Sequence, residues 1–348
     1  GKSQQMRKST RVKARVQAHA LREYMLSKDK VVVMGHKIPD VDSIGAGIGI
    51  YRAAKSLNKK THIVVNNPTM SVRPIIQTFK DNPDYDENMF ISSDEARDIV
   101  DDNTVVVVVD TNKPSYTECE DLLHMSKTIV VLDHHRQGSE VIQNAVLSYI
   151  EPYASSACEM VAEILQYFSD DIRIYNIEAD ALYSGIIIDT NNFTSKTGVR
   201  TFEAAAFLRR CGADVTRVRK MFRDDLQSYR AKAEAIRHVE TYKGCFAIAV
   251  CPTEGVDSPT VVASQAANEL LNIDSVKATF VLTDYQNKIF ISARAIDEIN
   301  VQLIMERMGG GGHINMAGAQ LPGATVEEAI AQLKETLDQM IHEGDIEI

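Results

Sequence analysis

Cysteine is scarce and scattered: five residues in 348, at positions 119, 158, 211, 245 and 251, with no Cys-x-x-Cys spacing. An odd, dispersed set argues against a cysteine-built zinc site and predicts reduced, mostly buried thiols in a cytosolic setting. Long apolar runs are missing as well. The valine run 105–109 falls far below the ~18–20 residues that span a bilayer, so no direct membrane insertion is expected. The opening residues do not read as a secretory leader. With 44% hydrophobic and 25% charged residues, disorder as the main state is excluded and a soluble globular protein is expected.

Basic charge is in short supply beyond the first 30 residues. The chain carries 38 Lys plus Arg against 48 Asp plus Glu, a formal charge of −10. Residues 1–30 hold nine of the basic groups and two of the acidic ones, which leaves 29 against 46 and a charge of −17 for the rest. A body this acidic repels long nucleic acid, whose binding requires many neutralised phosphates. Residues 1–29 read as a basic linker helix, with Val12, Val16, Ala20 and Tyr24 on one stripe; contact with RNA or anionic lipid is the competing reading. The chain opens Gly1-Lys2-Ser3 without an initiator Met, as a piece cut from a longer protein would.

The length predicts two domains. Residues 30–34, 62–65, 104–109 and 128–132 read as buried strands, and 43–57, 155–169 and 178–188 as helices. Strands that are apolar throughout and alternate with helices predict a parallel sheet covered on both faces. Ser156 with Glu159 has the spacing of a capping box. Residues 200–240 are dense in Arg, Ala and Glu and read as helical. Beyond Gly244, strands are expected at 245–250, 278–283 and 288–293, and helices at 259–271 and 325–341. The fold class expected is therefore α/β: a Rossmann-like, mostly parallel sheet over residues 30–200, a helical connector at 201–240, and a smaller mixed α/β domain at 241–348.

Four of these elements finish in residues that bind metals. Gly35-His36-Lys37-Ile38-Pro39-Asp40-Val41-Asp42-Ser43 follows the first strand, and Asp110 closes the valine run. Asp133-His134-His135 closes the fourth strand, and Asp189 closes a helix after Gly185-Ile186-Ile187-Ile188. Ligands of an open parallel sheet bind outside the carboxyl ends of its strands, so these residues should converge. Singly, each has a structural explanation: a cap or turn for Asp40, Asp42 and Asp110, an accidental pair for the histidines. Together, His36, Asp40, Asp42, Asp110, His134 and Asp189 make four carboxylates and two imidazoles. That donor set suits Mn²⁺ or Mg²⁺ better than zinc, and its charge calls for two divalent ions.

A second cluster runs Met308-Gly309-Gly310-Gly311-Gly312-His313. Consecutive glycines allow backbone N–H groups to converge on an anion, with His313 as a further donor; a flexible turn is the plainer alternative. No Lys-Ser or Lys-Thr follows, so this is no Walker loop. Arg294, on an expected strand, is a candidate for bidentate phosphate contact.

In order and spacing, the His36 to Ser43 segment, Asp110, the Asp133-His134-His135 triplet and Asp189 resemble the four motifs of the DHH phosphoesterases. The glycine loop with His313, and Arg294 before it, resembles the DHH-associated second domain. Within the family, the basic leader and compact glycine loop are similar to the C-terminal catalytic part of GdpP-type cyclic di-AMP phosphodiesterases, which follows membrane helices in the parent protein. The resemblance implies that His36, Asp40 and Asp110 hold one Mn²⁺ and that Asp42, Asp110, His134 and Asp189 hold the second, Mg²⁺ or another divalent ion being an alternative. It implies that Asp133 orients a ligand and that His135 reaches the substrate phosphate. Arg294, Gly310, Gly311, Gly312 and His313 would hold the distal nucleotide.

The activity implied is hydrolysis of cyclic di-AMP to linear 5′-pApA, by a homodimer forming the cytosolic part of a bacterial cell-membrane protein. A nanoRNase or pApA hydrolase of the same fold is the nearest rival. A sensor that binds a cyclic dinucleotide without cutting it would need a broken ligand set, and here all six positions are intact. A RecJ-like exonuclease is disfavoured by the acidic body, and a soluble pyrophosphatase by the few basic residues around the second glycine cluster.

Overall fold

Branched apolar runs alternating with helices form an all-parallel sheet. The computed structural model describes residues 2–296 and 298–348, with side chains from residue 10 onward. Gly1 and the side chains of Lys2, Arg7 and Lys8 in the basic leader lie outside the described residues. The chain divides into two units, 1–222 and 223–348. No described helix is long and apolar enough to cross a membrane.

The first unit holds strands β1 (Lys30–Met34), β2 (Lys60–Val64), β3 (Phe90–Ile91), β4 (Thr104–Val109), β5 (Thr128–Asp133) and β6 (Ala145–Ile150). Their spatial order is β3-β2-β1-β4-β5-β6, and every pairing is parallel. This is the order of a doubly wound sheet, with its topological switch between β1 and β4. Helices α1 (Lys2–Leu26), α2 (Val41–Ser56), α3 (Arg73–Lys80), α4 (Ser93–Ile99), α5 (Leu122–Met125), α6 (Ala157–Phe168), α7 (Asn176–Asp189), α8 (Val199–Arg210) and α9 (Val215–Met221) complete it. The valines show the two-residue period of a strand buried on both faces. Val31, Val33, Val105 and Val107 pack in a core with residues of α2, α6 and α7, whereas Val32, Val106 and Val108 pack with Ala96, Leu122 and Leu123 on the other face.

Two local expectations change. In α1 the buried stripe is Ala14, Ala18, Leu21 and Met25, while Val12 and Val16 are 60% and 57% exposed. Small alanines let α1 lie close on α6, and the i, i+4, i+7, i+11 spacing follows the contact line better than strict fourth-residue steps. At α6, Ser156 does cap the helix by accepting from Glu159 N–H at 3.1 Å. The Glu159 carboxylate, however, turns to the hydroxyls of Ser155 and Thr201, so only half of the box forms.

In the second unit, α10 (Leu226–Arg237), β7 (Glu240–Tyr242), β8 (Phe246–Val250), α11 (Pro259–Leu270), β9 (Ala278–Tyr285), β10 (Lys288–Ala295), α12 (Val301–Arg307), β11 (Gly311–Gly312), β12 (Met316–Pro322) and α13 (Val326–His342) follow in turn. The sheet runs β11-β12-β10-β9-β8-β7. Only β8 and β9 pair in parallel, so it is mixed. Residues of α10 and α11 cover one face and residues of α12 and α13 the other.

Candidate metal centre

The six candidate ligands meet at the carboxyl end of the parallel sheet, beside its switch point. His36 follows β1 and is held there by an isolated bridge to Thr117 and by its ring stacking on Tyr116, 5.1 Å between centroids. Its Nε2 lies 3.2 Å from Asp110 Oδ2 and 3.5 Å from Asp40 Oδ1. Burial works against a charged ring, but these two carboxylates outweigh it and push His36 up to about 10.

Asp40 is the N-cap of α2, accepting from Ser43 N–H at 2.8 Å, while the Ser43 hydroxyl accepts from Asp40 N–H at 3.1 Å. The capping explanation is thus correct for Asp40, and it leaves the carboxylate beside His36, 49% exposed. Asp42 sits in the first turn, fully buried. Its two oxygens accept from Ala157 N–H at 2.9 Å and Cys158 N–H at 2.8 Å, at the positive N-terminal end of α6. Burial alone would raise its pKa. His134 and the two backbone donors instead hold it below the ordinary carboxylate range.

Asp110 occupies the centre. Its backbone is left-handed, φ 64°, a conformation few residues other than glycine adopt. Oδ2 faces His36, and Oδ1 lies 3.0 Å from His134 Nε2. Burial, followed by the charges of Asp42 and Asp40, raises Asp110 well above the usual range. Asp189, the last residue of α7, is raised by burial and by Asp42 and Asp40 in turn. His134 Nε2 also lies 3.5 Å from Asp42 and 3.8 Å from Asp189.

Donor atoms therefore fall into two groups, His36–Asp40–Asp110 and Asp42–His134–Asp189, with atoms within each no more than 4.8 Å apart. A third group adds Asp133 and His135 to Asp110 and His134. Among the described residues, no Lys or Arg pairs with Asp40, Asp42, Asp110 or Asp189, whose ion pairs are all with histidine. Four clustered carboxylates, two of them raised by burial and by their acidic neighbours and none paired with Lys or Arg, fit divalent ions of oxygen-loving type.

Asp133 is buried beside both groups, and its oxygens are engaged by neighbouring donors. Oδ1 accepts from His134 N–H at 2.8 Å and lies 2.6 Å from His135 Nδ1; Oδ2 accepts from Asn112 Nδ2 at 2.6 Å. Asn112, which follows Asp110 and Thr111 but is not among the expected site residues, also donates to the His135 carbonyl at 3.2 Å. Its position two residues past Asp110 was the available signal. The backbone donors of α6 and the ring of Tyr116 left no such signal.

In the second unit, two of the backbone donors expected to converge on an anion have partners within the chain. Gly310 N–H donates to Met305 O at 2.8 Å and His313 N–H to Met316 O at 2.6 Å, so these donors are already occupied. Gly311 and Gly312 form β11 against β12, where a Cβ on Gly310 would overlap Gly318 O and one on Gly312 would come within 2.5 Å of Met316 O. Close strand approach is what these two positions require. Gly311 differs: nothing lies within 4 Å of its Cβ position, so its backbone is open to approach. Arg294 on β10 donates from Nη1 to Ala293 O at 2.9 Å, and its buried Nε has no partner. Burial lowers this guanidinium to about 10.

Among protein families, the DHH family N-terminal domain matches residues 30–186 and the DHHA1 domain matches residues 244–343. The chain is 44% identical to the cyclic-di-AMP phosphodiesterase GdpP of Bacillus subtilis, over 99% of this chain and 53% of that protein. It is 40% identical to the cyclic-di-AMP phosphodiesterase PdeA of Listeria monocytogenes, over 97% of this chain and 52% of that one. It thus spans about half the length of these curated relatives. The crystal structure of an exopolyphosphatase-related protein from Bacteroides fragilis superposes with a TM-score of 0.79 at 20% identity, covering 93% of this chain and 96% of that one. That likeness shows the shared fold.

Proposed function

The chain belongs to the DHH family and carries the DHHA1 domain, and from that premise we propose that it hydrolyses cyclic di-AMP to linear 5′-pApA with two divalent cations. The observation that carries this reading is identity of 40% or more, over nearly the whole chain, to relatives named cyclic-di-AMP phosphodiesterases.

His36, Asp40 and Asp110 would hold one cation and Asp42, Asp110, His134 and Asp189 the other, with Mn²⁺ favoured over Mg²⁺ by the two imidazoles. Bound cations would neutralise the carboxylates and supply a water of lowered pKa in line with the phosphate. The other roles belong to side chains. Asp133, itself fixed by Asn112, orients His135 through Nδ1 and turns the other ring nitrogen to the substrate. From there His135 would donate a proton to the departing 3′ oxygen. In the second unit, Arg294, Gly310, Gly311, Gly312 and His313 are assigned to the distal nucleotide. The assignment is supported by the unpartnered Nε of Arg294 and the open backbone at Gly311. A homodimer in the cytosol, tethered through a longer membrane protein, completes the proposal.

The test is a product-resolved chromatographic assay with Mn²⁺, offering cyclic di-AMP and pApA in parallel. Conversion of the cycle to accumulating pApA supports the proposal. Rapid loss of pApA to AMP with the cycle barely touched moves the chain to the nanoRNase branch, and silence on both overturns the assignment.

A further inference from the structure

A close crossing of three helices lies beneath the Asp42–His134–Asp189 group. Helix α2 brings Gly45 and α7 brings Gly185 against the side chain of Cys158, which is fully buried on α6. A Cβ on Gly45 would stand 2.6 Å from the Ala181 carbonyl oxygen and 2.7 Å from Cys158 Sγ. One on Gly185 would overlap Sγ outright and stand 3.0 Å from Cys158 Cβ and 3.1 Å from Asp42 Cα. There is no spare volume for a methyl group on either helix, and the nearest atoms include backbone that cannot swing aside.

This crossing joins three elements that bear on one ligand group. Asp42 is on α2, three residues before Gly45. The N–H groups of Ala157 and Cys158, which hold both Asp42 oxygens, begin α6. The Cys158 thiol donates to the Asp42 carbonyl at 3.2 Å. Asp189 lies one helical turn beyond Gly185 on α7. By contrast, His36 and Asp110 are carried by the ends of β1 and β4, Asp110 facing both groups, and of the first group only Asp40, the cap of α2, is tied to this crossing.

We propose that the Gly45–Cys158–Gly185 contact is a spacer that fixes the separation of Asp42 and Asp189, and thereby chiefly the cation affinity of the Asp42–His134–Asp189 group. The two glycines and the cysteine are positioning residues that touch neither cation nor substrate. The inference rests on reading that group as a metal site; it does not depend on which phosphate ester is cut.

Calorimetric titration of the whole chain with Mn²⁺ tests it, with circular dichroism and the metal-free Tm recorded for every variant. Wild type should show two classes of site. Gly185→Ala should weaken one class on the order of 10–100-fold, the scale seen when a ligand's supporting contact is lost, and change the other far less. Gly45→Ala, which strikes the same thiol from the other side, should produce the same split. In a Cys158→Ala background, where the obstructing sulfur is gone, the fold-loss caused by Gly185→Ala should shrink. Should Gly185→Ala not fold, Gly45→Ala with and without Cys158→Ala carries the same comparison. Both classes unchanged, both weakened alike, or an undiminished loss in the Cys158→Ala background would overturn the spacer. Absence of Mn²⁺ binding by the unaltered chain would overturn the metal reading and the spacer with it.

Discussion

Asp110→Asn is the substitution on which the two-cation reading stands or falls. Asparagine keeps the shape of the side chain and is among the few residues at ease in a left-handed backbone, so the φ of 64° is retained. The amide keeps one acceptor oxygen and replaces the other with a donor. It therefore offers an acceptor oxygen to only one of the two imidazoles that lie 3.2 and 3.0 Å from the present oxygens, and a single ligating oxygen to a cation. Both ligand groups are affected, because Asp110 faces each. A cation at a free concentration of about 100 times its Kd stabilises the folded state by about 2.7 kcal/mol. For a unit of this size each kcal/mol moves Tm by about 2–4 °C. Wild type should therefore gain about 5–11 °C per bound ion in a thermal scan with Mn²⁺, and Asp110→Asn should lose most of that gain. Without metal, the variant should be at least as stable as wild type, since it removes a carboxyl that Asp42, Asp40 and Asp189 all oppose. Turnover should fall by about 10²-fold or more, the scale of deleting one preorganised electrostatic partner. An Asp110→Asn protein with an undiminished Mn²⁺-dependent Tm rise and normal turnover would refute the reasoning.

Three further outcomes are expected. In the metal-free protein, Asp110 and Asp189 titrate above the ordinary carboxylate range, and His36 is pushed up to about 10. Groups with raised folded-state pKa stabilise fully below their unfolded values and lose that contribution as pH rises, so metal-free Tm should fall between about pH 5 and about pH 8. Saturating Mn²⁺ should flatten or reverse the slope, because cation and proton compete for the same oxygens; a rising metal-free Tm would contradict this. Glu178, fully buried, pairs with Arg52 at 2.7 Å and accepts from Tyr85 Oη at 2.9 Å. Glu178→Ala should cost about 3–5 kcal/mol in urea unfolding, since it strands a cation, and a loss below about 1 kcal/mol would show the pair to be dispensable. Arg294→Ala should raise KM for cyclic di-AMP by about 10-fold or more with a smaller change in kcat, and Arg294→Lys should not restore it because the bidentate fork is gone; an unchanged KM would remove Arg294 from the substrate site.

The parts of the fold legible in the sequence are those where burial on both faces imposes an unbroken apolar run. β1, β4 and β5 are such strands, and their order with the helices between them predicts the parallel sheet. β6 is an edge strand with alternating burial, and its Ala-Val-Leu-Ser-Tyr-Ile has no continuous run to announce it. β12 is built of Ala, Gly and Gln with few β-branched residues, and its pairing with β10 and β11 comes from tertiary context. The ligand types were legible because each follows a strand or helix end, where chemistry collects in this class of sheet. What holds them was not. A left-handed φ at Asp110 leaves no mark in composition, and the donors to Asp42 are backbone groups 115 and 116 residues away. The glycine run is ambiguous for a related reason: repeated glycine signals either an anion nest or two strands in close approach, and the pairing of Gly311 and Gly312 with the Met316–Pro322 strand has no mark in the run itself.

Each acidic residue of the centre is restrained by a different backbone device. Asp40 is fixed by a helix cap, Asp42 by the first N–H groups of α6, Asp110 by a left-handed strand end, and Asp189 by the last turn of α7. None of these restraints neutralises charge fully, and those on Asp110 leave its carboxyl disfavoured as an ion. A fold that needed only stability would replace such a cluster with apolar side chains at no loss. Holding four carboxylates in register, at a cost in metal-free stability, makes sense where cation binding returns that cost as folding free energy. The same restraints explain why a substitution at a residue that offers no donor atom, such as a methyl group on Gly185, should be felt at the candidate metal centre: its geometry is set by helix and strand ends, and those ends move only when the packing beneath them moves.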